Sequence, residues 1–142
     1  MACVRCDFRW IPPAEIGDYW QTIKPGLIDT AEKAPGGWGP SDVFMQLANG
    51  QATLHLVIVD QHYRGFMVSK TMPSNEGKKL LIWILHGDGS GSVMKDNMDQ
   101  IRAWAKNIEA VKIQMQSNRA GWAKVAPTLG FKVTQIIYEA EI

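Results

Sequence analysis

Residues 86–92 read HGDGSGS, after the apolar run KLLIWIL (79–85) and before the helical pattern VMKDNMDQIRAWAKNI. Glycines between a strand and a helix expose backbone N–H groups at the helix N-terminus, where the dipole favours an anion such as a phosphate. On that reading the binding residues are His86, Gly87, Gly89, Ser90, Gly91 and Ser92. The competing reading is a tight turn, since glycine adopts conformations closed to other residues. Trp38 sits in APGGWGP (34–40), flanked by glycine and proline. A buried loop would strand its backbone polar groups, so this tryptophan reads as a partner or substrate contact. Arg119 and Trp122, in NRAGW, are two more candidate contacts at the start of the last helix. Cys3 and Cys6 form a lone C-x-x-C with no second pair to complete a zinc site. In a strand they point to opposite faces, so they read as reduced and structural, and no metal is expected.

The elements that must hold these residues follow from periodicity. A strand is expected over 3–11, stopped by Pro12-Pro13. Apolar residues at Ile16, Tyr19, Trp20 and Ile23 make a helical stripe, which Pro25-Gly26 is expected to kink or break. Ser41 reads as the cap of a short helix ended by Gly50. Residues 53–60 alternate as a strand, 61–65 make a hairpin connection, and 66–72 return. Residues 79–85 are apolar on both faces, the signature of a central strand. Met94, Met98, Ile101, Ala105 and Ile108 then mark an amphipathic helix. A strand over 111–117, a helix over 118–129 and a closing strand, FKVTQIIYEAEI, complete the chain. His55 reads as a hydrogen-bonded or partly exposed sheet residue, and His62 as a solvated turn residue.

The order is β-αα-β-β-β-α-β-α-β, one α/β domain over 1–142 with a mixed, largely antiparallel sheet flanked by helices. With 15 basic and 14 acidic residues the net charge is +1, which gives no electrostatic case for nucleic acid. No apolar run reaches membrane-spanning length, and the arginine within MACVRCDFRW argues against a secretory signal.

In this order of elements the chain resembles the GNAT acyltransferase superfamily over nearly its whole length. LLIWILHGDGSGS is similar to that family's strand, pyrophosphate loop and helix, with His86 where Gln or Arg is usual. NRAGWAKVAPTLGFKV is similar to its C-terminal helix and "GF" strand start. The resemblance implies an acetyl-CoA site on the loop and an acyl opening between the two central strands, lined by Arg119 and Trp122. It also implies a tyrosine acid where this sequence has Ala126, and a strand carboxylate that residues 79–85 lack. Trp20, Ile23, Lys24 and Pro25, the Ser41 helix, and the two Trp-Ala-Lys segments further resemble small GNAT-like proteins of tailed bacteriophages. These departures, together with Asp88, which puts a negative charge inside the pyrophosphate loop, favour a degraded acyl-CoA site with no required cofactor, in a virion-associated assembly component or docking module. Its partners would be phage head or tail proteins, in the virion or host cytoplasm. The alternative is an acetyl-CoA-dependent N-acetyltransferase acting on a protein or small amine.

Overall fold

The structure is a computed structural model, and it describes residues 6–33, 36–87, 92–117 and 122–142. Five strands form one sheet in sequential order: β1 (Cys6–Ile11), β2 (Thr53–Val59), β3 (His62–Met72), β4 (Lys79–His86) and β5 (Lys112–Met115). The first three pairings are antiparallel and β4–β5 is parallel. The parallel pair requires a crossover, supplied by α3 (Ser92–Asn107). Helices α1 (Ile16–Lys33) and α2 (Pro40–Ala48) cover the opposite face. One core, with Ile23, Leu27, Leu54, Phe66 and Ile84, lies under α1 and α2; a second, with Met67, Leu80, Ile82 and Ile101, lies under α3. The expected α/β architecture is present.

Four expectations change in detail. Pro25 does not end α1, which runs on to Lys33. Proline at 25 removes the hydrogen bond to the carbonyl of Gln21, and both residues face solvent. Ile23 before it and Leu27 and Thr30 after it are buried on the sheet, and that continuous burial carries the helix across. Helix α2 is capped by Gly39, not Ser41. Pro40 takes the first helical position, and the Asp42 carboxylate accepts a 2.8 Å bond from the Gly39 N–H. Of the helix expected over 118–129, the described residues form one α turn, α4 (Trp122–Val125), tightened into a 3-10 turn over Ala126–Leu129, where Pro127 has no N–H to continue it. The expected closing strand forms no part of the sheet. Residues 132–142 are exposed and carry no regular structure.

Candidate functional site

Strand β4 outruns β5. The pairing covers Lys79↔Lys112 to Ile82↔Met115 and stops, whereas β4 continues through Trp83, Ile84, Leu85 and His86. Among the described residues, no strand lies beside that last half of β4 on the β5 side. The result is an opening in the sheet, floored by main chain that antiparallel β3 holds from the other side.

A bulge sits where the opening begins. Val68 of β3 pairs with Ile84, but the next residue, Ser69, pairs with Ile82, so Trp83 is the extra residue. The bulge changes which face each side chain serves: Ile82 packs under α3, and Ile84 packs under α1 and α2. This flip, with cover on both faces, explains why residues 79–85 show no alternation. Trp83 is half-buried. Trp38 meets it edge-on at 6.0 Å, and the Lys70 ammonium stands 3.5 Å from its ring centroid. Burial holds the Lys70 pKa below the ordinary lysine value. Trp38 is thus half-buried against Trp83 and the adjoining core.

His86 ends β4. Its ring stacks on Phe66, with centroids 5.6 Å apart, and its Nδ1 lies 3.8 Å from Asp29 Oδ2 on α1. Asp29 also pairs with Lys33 one turn on, at 3.1 Å. Two glycines admit this arrangement. A Cβ on Gly26 would fall 2.7 Å from both the His86 and Phe66 rings, so glycine lets α1 approach the sheet. A Cβ on Gly65 would fall 2.2 Å from the His86 carbonyl oxygen. His86 therefore meets a carboxylate on α1, a partner the sequence did not foresee.

Gly87 is half-buried directly after β4. Gly89, Ser90 and Gly91 lie outside the described residues, as does Arg119. Ser92 opens α3, whose first turn holds no acidic side chain to offset the helix dipole. Trp122 is half-buried among the residues beneath α3 and beside β5. Ala126 begins the 3-10 turn, half-buried, with no acid at that position.

Sequence reading missed Asp29 and Lys70. Asp29 is one of several polar residues on α1, and Lys70 ends the β3 core run; only the tertiary fold brings each to β4. His55 differs from expectation. It is 2% exposed, stacked 4.4 Å from Phe8 and edge-on to Trp104 at 4.6 Å, with Nδ1 lacking a hydrogen-bond partner. Desolvation pushes its pKa down to about 4. It borders an open groove of about 350 Å³ between β1 and α3, on the other face from the Trp38–Trp83 contact. Cys6 is a free thiol that donates to Asn97 Oδ1 at 3.1 Å, and burial first, then Asp96 and Asp7, raises its pKa. No cluster of metal-ligating side chains occurs among the described residues, and no described helix is long and apolar enough to cross a membrane.

No protein-family model matches the chain, and no curated protein matches it. Solved structures do. A ribosomal-protein-alanine N-acetyltransferase from Brucella melitensis biovar Abortus 2308 superposes with a TM-score of 0.73 at 15% identity, covering 97% of this chain and 99% of that one. The aminoglycoside N-acetyltransferase AAC(6')-Iy in complex with CoA gives 0.70 at 12% identity, covering 99% and 97%. A predicted acetyltransferase from Clostridium acetobutylicum with acetyl-CoA gives 0.66 at 16% identity, covering 96% of each chain. The fold is the GNAT acetyltransferase fold.

Proposed function

We propose that this chain is an acetyl-CoA-dependent N-acetyltransferase acting on a primary amine of a protein or small molecule. The observation that carries the reading is the opening beside the last half of β4, with the N-terminus of α3 as the next element along the chain. The chain's residues fit such a cofactor. Gly87 and Ser92 flank the glycine loop, and the first turn of α3 offers N–H groups and holds no acidic side chain of its own. Main chain of Trp83–Leu85 borders the opening, where an acyl carbonyl is polarised by an N–H donor. The cofactor supplies an activated thioester. Its binding in crystals of the neighbours supports the reading, whereas nothing in the fold or the neighbours supports the virion-assembly role that the sequence favours.

The acceptor approaches from the α1–α2 side, where Trp38, Trp83 and Lys70 shape the entrance. Lys70 holds its ammonium over the Trp83 ring at this entrance. His86, beside Asp29, is the imidazole at this entrance and takes the proton of the attacking amine. With Ala126 in place of a hydroxyl acid, the departing thiolate is protonated by solvent.

The deciding experiment titrates the purified protein with acetyl-CoA by calorimetry and thermal shift. Expected is a Kd tighter than about 100 µM, roughly −5.5 kcal/mol, lost in Gly89→Glu. A His86→Gln variant should keep that affinity while turnover of an amine acceptor falls by roughly 10²–10⁴, the usual worth of a positioned base. Silence of the wild type up to millimolar acetyl-CoA overturns the reading.

A further inference from the structure

The groove of about 350 Å³ between β1 and α3 lies at the opposite edge of the sheet from β5. Alternation along β1 sends Phe8 and Trp10 to the face that α3 covers, and the register sets Trp10 directly across from His55. Helix α3 adds Gln100, Trp104 and Asn107, on one stripe at i, i+4 and i+7. The lining is therefore aromatic walls with a few polar groups, the composition of small-molecule sites. None of the described residues in it carries a charge, because burial drives the His55 pKa down to about 4 and keeps its ring neutral. Two of these groups are incompletely used by the protein. Trp10 is 50% exposed and meets no other ring among the described residues. His55 is 2% exposed, yet its Nδ1 has no hydrogen-bond partner, and its neighbours Phe8 and Trp104 offer only ring surface. Buried polar atoms are almost always paired, since an unpaired one forfeits its bonds to water.

We propose that this groove binds an uncharged bicyclic nitrogen heteroaromatic, stacked on Trp10 and hydrogen-bonded to the His55 imidazole. Each part of the lining selects for that chemistry. An ionic ligand would lose its hydration here without gaining a countercharge. A hydrocarbon ring would leave the imidazole unpaired. A flat heteroaromatic instead stacks on the free indole face, while its ring N–H and N atoms serve the imidazole and the Asn107 carboxamide. The volume is at the lower end of the range for ligand pockets, about 300–1,000 Å³, which suits one fused ring pair. The groove opens on the far face from Trp38 and Trp83, so it is a second site, apart from the opening beside β4.

Proton–nitrogen NMR of the full chain, titrated with benzimidazole near neutral pH, tests this. The indole N–H signals of Trp10 and Trp104 should shift with a Kd of about 1 mM or tighter, within reach of so small a ligand. Trp10→Ala, at a half-exposed site, should remove the shift at Trp104. His55→Phe keeps the aromatic wall and should weaken benzimidazole roughly tenfold, the worth of one hydrogen bond. Indene, the all-carbon counterpart, should bind both proteins alike, and saturating acetyl-CoA should leave the benzimidazole titration unchanged. No shift up to about 10 mM benzimidazole, binding indifferent to either substitution, or an equal loss for indene in His55→Phe overturns the proposal. So does competition by acetyl-CoA, or equally tight binding of methyl glucoside, which would make the groove a sugar platform.

Discussion

Gly65→Ala should be among the most damaging single-methyl changes in this chain. Glycine in a strand interior normally costs stability, so alanine elsewhere in the sheet gains roughly 0.5–1 kcal/mol. Position 65 inverts the sign. The added Cβ lands 2.2 Å from the His86 carbonyl oxygen and 3.0 Å from the Gly87 Cα. Non-bonded carbon contacts settle at about 3.5–4.0 Å, so β3 and the end of β4 must part by roughly 1 Å. Both obstructing atoms belong to backbone, and no rotamer change relieves them. Overpacking costs about 1–3 kcal/mol, and the absence of relief places this case at the upper end. The net loss is about 2 kcal/mol. For a chain of this length the unfolding entropy is about 0.3 kcal/mol/K, so Tm falls by about 7 °C. Because the displaced atoms lead into the glycine loop, acetyl-CoA affinity should fall with it. Gly17→Ala is the control: Gly17 is exposed in the first turn of α1 with nothing near its missing Cβ. It should raise Tm by about 2–3 °C, from a propensity gain of up to about 1 kcal/mol. Scanning calorimetry reads both, and a Gly65→Ala protein melting at or above the wild type refutes the steric argument.

His55 ties stability to pH: its unfolded pKa is near 6.5 and its folded value about 4. The unfolded chain binds the extra proton between those values, so stability falls as pH drops from 6.5 to 4, by at most about 3 kcal/mol. Urea melts across that range should show this slope reduced in His55→Phe, which should also equal or exceed the wild type at pH 7, having no unpartnered Nδ1. Pro25→Ala should raise Tm by about 3–7 °C, because the helix penalty of about 3 kcal/mol exceeds the loss of proline's restraint on the unfolded chain; a lower Tm would count against an uninterrupted α1. Cys6 should react with iodoacetamide at neutral pH more slowly than an unhindered thiol, since burial and two nearby carboxylates disfavour its thiolate; mass spectrometry of a Cys3→Ser protein follows the rate. Trp38→Ala should weaken use of the amine acceptor and leave acetyl-CoA affinity unchanged, as steady-state kinetics beside calorimetry will show.

The order of elements was legible because periodicity reports burial. The α3 stripe of Met98, Ile101 and Ala105 is buried as its spacing demands, and the apolar run 79–85 is a strand covered on both faces. What escaped was every feature set by a distant partner. An all-apolar run gives no sign of where a bulge falls, so Trp83 looked like its neighbours. Pro25 reads as a breaker until the sheet that buries Ile23 and Leu27 is present. His55 looked polar enough to need a partner, yet Phe8 and Trp104 lie 49 or fewer residues away and supply only rings. The closing strand failed differently. Residues 131–142 have a strand's alternating pattern, but in the structure 132–142 lie exposed without regular structure, and a pattern alone supplies no pairing edge.

These irregularities share one place. Gly26 brings α1 onto His86, Gly65 brings β3 onto the His86 carbonyl, and the Trp83 bulge redirects β4 three residues before it. Each departs from what its own element prefers: glycine weakens a helix and a strand, and a bulge interrupts a ladder. Three such costs around a single residue are accounted for if the end of β4 must hold a fixed position relative to α1 on one side and α3 on the other. A regular sheet would have kept Ile82 and Ile84 on one face. The bulge instead carries the strand from the α3 core into the α1 core where β5 stops, so the opening is walled by both layers. That makes the geometry of the opening depend on Gly26, Gly65 and Trp83, whatever chemistry the loop beyond it supports.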